Sequence, residues 1–175
     1  APRQQDPRAA QQGGGRAFGP GQFNLVHNIV ADEDGWVYVA DRENHRVQVF
    51  DGEGRYETQW NNLHRPSALL MPRGKCPTCL VGELGPGMKV NQNYLNIGPR
   101  LSLLDNKGNL ISRLGGENGP GQEPGKFLAP HGLARDSVGA IYVGEVSYTN
   151  RPSSFGEEPR PQWLRSLQKL VPVSA

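Results

Sequence analysis

A short apolar segment ends in Val-[Ala/Gly]-[Asp/Glu] at three places: Val39-Ala40-Asp41, Val81-Gly82-Glu83 and Val143-Gly144-Glu145. A unit that recurs with a period of roughly 40 to 50 residues is the mark of stacked repeats such as propeller blades, so the chain is read as a repeat protein before anything else. Two of the three copies also carry a histidine at one place in the preceding apolar segment, His27 in Leu25-Val26-His27-Asn28-Ile29 and His131 in Ala129-Pro130-His131-Gly132-Leu133. The repeat therefore repeats a potential metal ligand.

Turn signals between the apolar runs divide each unit into a meander of hairpins. The first unit, about residues 21–61, has Asp34-Gly35 and Gly52/Gly54 turns between strands ending near Ala31, Ala40, Phe50 and Trp60. The second, about 62–116, runs from Ser67–Met71 through Cys79–Glu83 and Arg100–Leu104 to Asn109–Leu114. The third, about 123–173, begins Pro124-Gly125-Lys126-Phe127, ends on a strand-like Leu167–Val173 and lacks an obvious fourth strand. The expected fold is all-β, three four-stranded blades with the last incomplete.

Residues 1–20 are rich in Gln, Arg, Gly and Pro without an alternating apolar face, the composition of a flexible tail or linker. Three blades fall short of the four to eight that close a ring. The expectation is the C-terminal part of a longer propeller, its open edges covered by missing blades or by self-association.

With 23 Gly and 15 Pro in 175 residues, the chain suits a turn-rich β protein, and no apolar run is long enough to span a bilayer. Nineteen basic side chains stand against seventeen acidic ones and are scattered, so neither nucleic acid nor a membrane surface is an expected partner. Cys76 and Cys79 form a C-x-x-C between two strands. Two thiols do not make a structural zinc site, and a redox pair needs a helix N-terminus, so the pair is read as structurally incidental.

Phe23-Asn24-Leu25-Val26-His27-Asn28-Ile29, followed by Val37-Tyr38-Val39-Ala40-Asp41-Arg42-Glu43-Asn44-His45-Arg46-Val47-Gln48-Val49-Phe50, resembles an NHL repeat, and specifically those of peptidyl-α-hydroxyglycine α-amidating lyase and its bacterial relatives. Leu84-Gly85-Pro86-Gly87, Ala129-Pro130-His131-Gly132 and Ser166–Val171 extend the resemblance over about 19–173. It implies a six-bladed propeller whose lyase members hold zinc in the central channel with three histidines. His27 and His131 match two of them, and Arg42 matches an active-site arginine of the Ala-Asp-Arg-Glu-Asn motif. The family's first histidine belongs to an upstream blade, while Gly132 stands where the lyases have aspartate and Ala129 where they have a larger residue.

A catalytic zinc normally has three protein ligands and an open position. His64, three positions before the Ser67 that occupies the His27 register, is the candidate third ligand within this chain, with an exposed loop residue as the alternative. Arg42 suits a substrate carboxylate, for which a planar guanidinium fork is made. A structural salt bridge to Glu43 or Asp41 explains it equally well. Asp41, Glu83 and Glu145 could bind calcium, but acids at a strand end commonly accept hydrogen bonds from neighbouring turns. The loop Leu84–Pro99 is expected to leave on the face away from His27, and Tyr148–Pro161 to be an excursion without a site.

Two function classes follow: a zinc-dependent lyase acting on a small-molecule or peptide substrate, or a non-catalytic NHL propeller presenting loops to a protein partner.

Overall fold

The computed structural model describes residues 18–72, 78–87, 97–117, 119–159 and 161–173. Most of the expected tail, Cys76 and the middle of the loop after Glu83 lie outside the described residues.

Among the described residues, eleven strands form three antiparallel sheets. The first is β1 (Val26–Ala31), β2 (Val37–Asp41), β3 (Arg46–Phe50) and β4 (Tyr56–Trp60) in that spatial order. The second repeats it with β5 (Pro66–Leu70), β6 (Thr78–Glu83), β7 (Arg100–Asp105) and β8 (Leu110–Leu114). The third has three strands, β9 (Pro130–Arg135), β10 (Ile141–Glu145) and β11 (Leu167–Leu170). These are propeller blades, laid so that the first strands run side by side, β1 beside β5 and β5 beside β9.

Four of the hairpins share one local device. Asp32, Asp51, Asp105 and Asp136 each accept through Oδ1 from the backbone N–H groups two and four residues on. The fourth residue of each turn is a glycine with φ between 78° and 90°: Gly35, Gly54, Gly108 and Gly139. The carboxylate satisfies the turn's donors while glycine supplies the left-handed backbone, so Asp-x-x-Gly alone encodes the reversal. At Gly108 the absent side chain has a second use, because a Cβ there would meet the Trp60 ring at 2.2 Å.

Packing between blades follows strand alternation. In β6, Cys79 and Val81 point to the first blade and join Tyr38, Val47, Val49, Trp60 and Leu69 in one core. Leu80 points the other way and packs with Leu101, Phe127 and Val143 in a second core against the third blade. A sheet covered on both faces reads as a continuous apolar run, as Cys79-Leu80-Val81 does. The outer strands β4 and β8 face solvent on one side and carry Glu57, Thr58, Ser112 and Arg113. Burying a side chain such as Phe127, wholly inaccessible here, contributes about 1.5–3 kcal/mol. Cys79 is equally enclosed, and burial pushes its thiol up to about 12, which makes it an inert core residue.

One expectation gains detail and another needs correction. The excursion after Glu145 is ordered: Ser147–Phe155 forms a helix, α1, with Pro152 inside it. Its Asn150 amide donates to the carbonyl of Pro86 at 3.1 Å, a tertiary contact that local pattern could not announce. The start of the loop after β6 also lies at the His27 end of the sheets, because in an antiparallel meander the end of strand two sits beside the start of strand one. Leu84 N–H donates to Arg65 O at 3.1 Å, and Arg65 Nη1 donates to Gly85 O at 2.7 Å. Among the described residues, no helix is long and apolar enough to cross a membrane.

Candidate functional site

The three acids of the repeat build the site without belonging to its surface. Asp41 accepts from Asn24 N–H at 2.7 Å, Glu83 from His64 N–H at 2.6 Å, and Glu145 from Leu128 N–H at 2.5 Å. Each of those amides lies three residues before the same position, His27, Ser67 or His131. At that position every blade has a β-bulge: pairing jumps from Val26 to Asn28, from Pro66 to Ala68 and from Pro130 to Gly132. A bulge leaves one residue out of the ladder and re-aims its side chain. The remaining oxygens of the acids are taken as well, by Arg46, Gln48 and Asn44 on Asp41, by Arg100 and Ser102 on Glu83, and by Gln168 on Glu145. They are framework: both oxygens of each carboxylate already accept hydrogen bonds.

The bulges of the first and third blades bring His27 and His131 together, ring centroids 5.1 Å apart and the planes at 72°. Between them, Ser67 is wholly buried and donates to Pro130 O at 2.6 Å. Arg42, in the 3-10 turn Arg42–Asn44 that follows β2, reaches back so that Nη1 lies 2.5 Å from His27 Nε2. A guanidinium can only donate, so Nε2 is the acceptor and the ring proton sits on Nδ1, 3.3 Å from Leu25 O. Leu25 has φ 58° and Arg65, at the same place in the second blade, φ 46°. Non-glycine residues in this region are strained, and such strain clusters at functional positions.

Burial and neighbouring charge favour the neutral form of both imidazoles. Burial and then the Arg42 charge hold His27 below its ordinary value, and burial followed by His27 and Arg42 does the same for His131. The charged neighbours acting on His27 are Arg42, Arg65 and Glu43, two cations and one anion. Positive charge therefore predominates around His27.

Of the residues singled out in the sequence, His27, His131 and Arg42 meet. His64 does not join them; its ring packs edge-on against His45 at 4.9 Å. No three His, Cys, Asp or Glu side chains among the described residues are grouped to hold a metal. The spacing of the two rings matches the zinc implied by the lyase resemblance, although His27 Nε2 is engaged by Arg42 Nη1. Two imidazoles on one tetrahedral zinc, with Zn–N of about 2.0–2.1 Å, place their ring centres about 5 Å apart. The Nδ1–H of His27 directed at a backbone carbonyl is also the outer-shell arrangement that fixes a ligating histidine.

Sequence reasoning missed Arg65 and gave Glu43 only as a possible salt-bridge partner. Glu43 Oε1 accepts from Arg42 Nε at 2.7 Å and from Arg65 Nε at 3.0 Å. The only signal for Arg65 was its register with Leu25, two places before the bulge.

Residues 23–50 match the family model of the NHL repeat. NHL repeat-containing protein 3 of Homo sapiens is 46% identical over 50 residues, 28% of this chain and 14% of that protein. Protein brain tumor of Drosophila melanogaster is 40% identical over 53 residues, 30% of this chain and 5% of that protein. The chain thus spans a small part of the length of these relatives. Among solved structures, a protein of unknown function from Bacteroides caccae superposes with a TM-score of 0.57 at 14% identity, covering 83% of this chain and 46% of that one. At that identity the likeness concerns the fold alone.

Proposed function

We propose that the end of the blades where His27, His131 and Arg42 meet is a carboxylate-binding site of the amidating-lyase type, part of a propeller that cleaves a peptidyl-α-hydroxyglycine. The observation that carries this reading is the convergence of two imidazoles from different blades with a guanidinium already aimed at them. Cleavage requires that the substrate hydroxyl lose its proton to a base, that the carbon–nitrogen bond break, and that the departing nitrogen take up a proton, leaving an amide and glyoxylate. Zinc held by His27 and His131, with a further ligand from another blade, would supply polarisation of that hydroxyl.

The chain's own residues do the rest. Arg42 has Nε committed to Glu43, which leaves its Nη groups to grip a carboxylate. That carboxylate would replace His27 Nε2 as the acceptor and release the lone pair a ligand needs. Burial at His27 and His131 favours their unprotonated form.

A protein-binding scaffold is the second reading. It is favoured by the NHL match and by the exposed apolar side chains Leu25, Val26 and Ile29 at the start of the first blade. Calorimetric titration with hippurate (N-benzoylglycine), with and without zinc, decides between them, together with glyoxylate release from a peptidyl-α-hydroxyglycine. The lyase-type reading expects hippurate to bind and Arg42→Gln to weaken binding at least about tenfold, one charge-assisted pair. A folded chain that binds neither hippurate nor zinc and releases no glyoxylate overturns it in favour of the scaffold.

A further inference from the structure

Arg42 leaves a 3-10 turn on a long side chain, and nothing in that turn alone would hold its guanidinium at 2.5 Å from His27. The restraint comes from Glu43. Its side chain is almost entirely enclosed, and one oxygen, Oε1, is shared between Arg42 Nε and Arg65 Nε. Arg65 belongs to the next blade and is itself immobilised. Its N–H donates to His45 Nδ1 at 3.2 Å, its carbonyl accepts from Leu84 N–H, and its Nη1 donates to Gly85 O. Gly87 lies so close that a Cβ there would come within 2.1 Å of Arg65 Nη1. The backbone N–H of Glu43 donates to Asn24 O at 3.0 Å, tying the same residue to the segment that leads into the His27 bulge.

We infer that Glu43 is the positioning residue of this site, a carboxylate clamped by Arg65 of the adjacent blade that aims the Arg42 guanidinium at the His27 ring. Glu43 touches no reacting group; it acts through Arg42. The placement of Arg42 is then set by the junction between the first two blades, and a shift of one blade against the other is felt at the site. The consequence for carboxylate binding rests on the function proposed above, whereas the positioning itself does not.

Glu43→Gln and Gly87→Ala test it from two sides. The first removes the charge and one acceptor. The second displaces the buried Arg65 guanidinium from Glu43 and Gly85 O while leaving the Glu43 and Arg42 side chains in place, so its melting midpoint is expected to fall and both variants are compared below their own midpoints. In metal-free NMR, exchange of the Arg42 Nε–H with water is expected to rise about tenfold in Glu43→Gln, the loss of roughly one charge-assisted hydrogen bond. The His27 ring signals should move in both variants, and hippurate affinity should fall about threefold to tenfold. Unchanged Arg42 exchange and His27 signals in both folded variants overturn the positioning role. If the unmodified chain binds no hippurate while those signals do move, the carboxylate reading falls and the positioning role stands.

Discussion

The Ser67 hydroxyl donates to the Pro130 carbonyl at 2.6 Å, one residue before His131, so the middle blade is bonded to the third at the register where the outer two carry histidine. The same hydroxyl lies 3.1 Å from Gly82 O. Ser67→Ala should lower unfolding stability by about 1–3 kcal/mol, because it leaves a buried carbonyl without this donor. Urea unfolding checks it. A loss well under about 0.5 kcal/mol would mean that the inter-blade bond contributes nothing. Ser67→His, although it completes the set of three in sequence, is expected to destabilise rather than add a ligand, since the position has no accessible space.

Zinc should raise the melting midpoint of the chain if His27 and His131 hold it. A ligand that binds only the folded state adds about 2.7 kcal/mol at a hundred times its Kd, and two ligands make that Kd weak. The expected pattern is a rise lost in His27→Ala and in His131→Ala but retained in His64→Ala, whose ring packs with His45. A rise surviving both of the first two substitutions would place the metal elsewhere.

Stability should also decline on mild acidification. His27 and His131 both sit below the ordinary value of 6.5 in the folded chain. Near and below that value the unfolded chain binds more protons than the folded one, so protonation favours unfolding. Their contribution is complete above about pH 6.5 and is lost as pH falls toward the folded values. Urea midpoints measured with chelator at pH 7.5 and 5.5 should differ less in the His27→Ala/His131→Ala double variant than in the unmodified chain. An equal difference would assign the pH dependence to other groups.

The repeat was legible because its signals are local. Val-[Ala/Gly]-[Asp/Glu] marks the end of a buried second strand, and the Asp-x-x-Gly turns place a glycine where φ turns positive. His27 and His131 were legible as a pair for the same reason, since equal register in two blades is equal position in space. What escaped was tertiary. Arg65 matters through Glu43 of another blade, and α1 exists with Pro152 inside it while its Asn150 reaches the Leu84–Gly87 segment. His64 was drawn toward the site by its residue type, although its register is that of Asn24 and Leu128, where the backbone N–H is the group in use.

Glu83 offers the sharpest test of the framework. Its carboxylate, wholly buried, receives Arg100 Nε at 2.9 Å and Nη2 at 2.8 Å, with His64 N–H and the Ser102 hydroxyl on the same group. Glu83→Gln keeps the shape but strands the buried Arg100 charge, which should cost about 3–5 kcal/mol. That is a large share of the 5–15 kcal/mol typical of a domain. Arg100→Met should cost a comparable amount, and the double variant much less than the sum, since neither charge is then left alone. Denaturant unfolding of the three variants gives the coupling directly. Strict additivity would show that the pair is screened by water and not enclosed. Calcium should leave every midpoint where it was, because the oxygens it would need are already bonded.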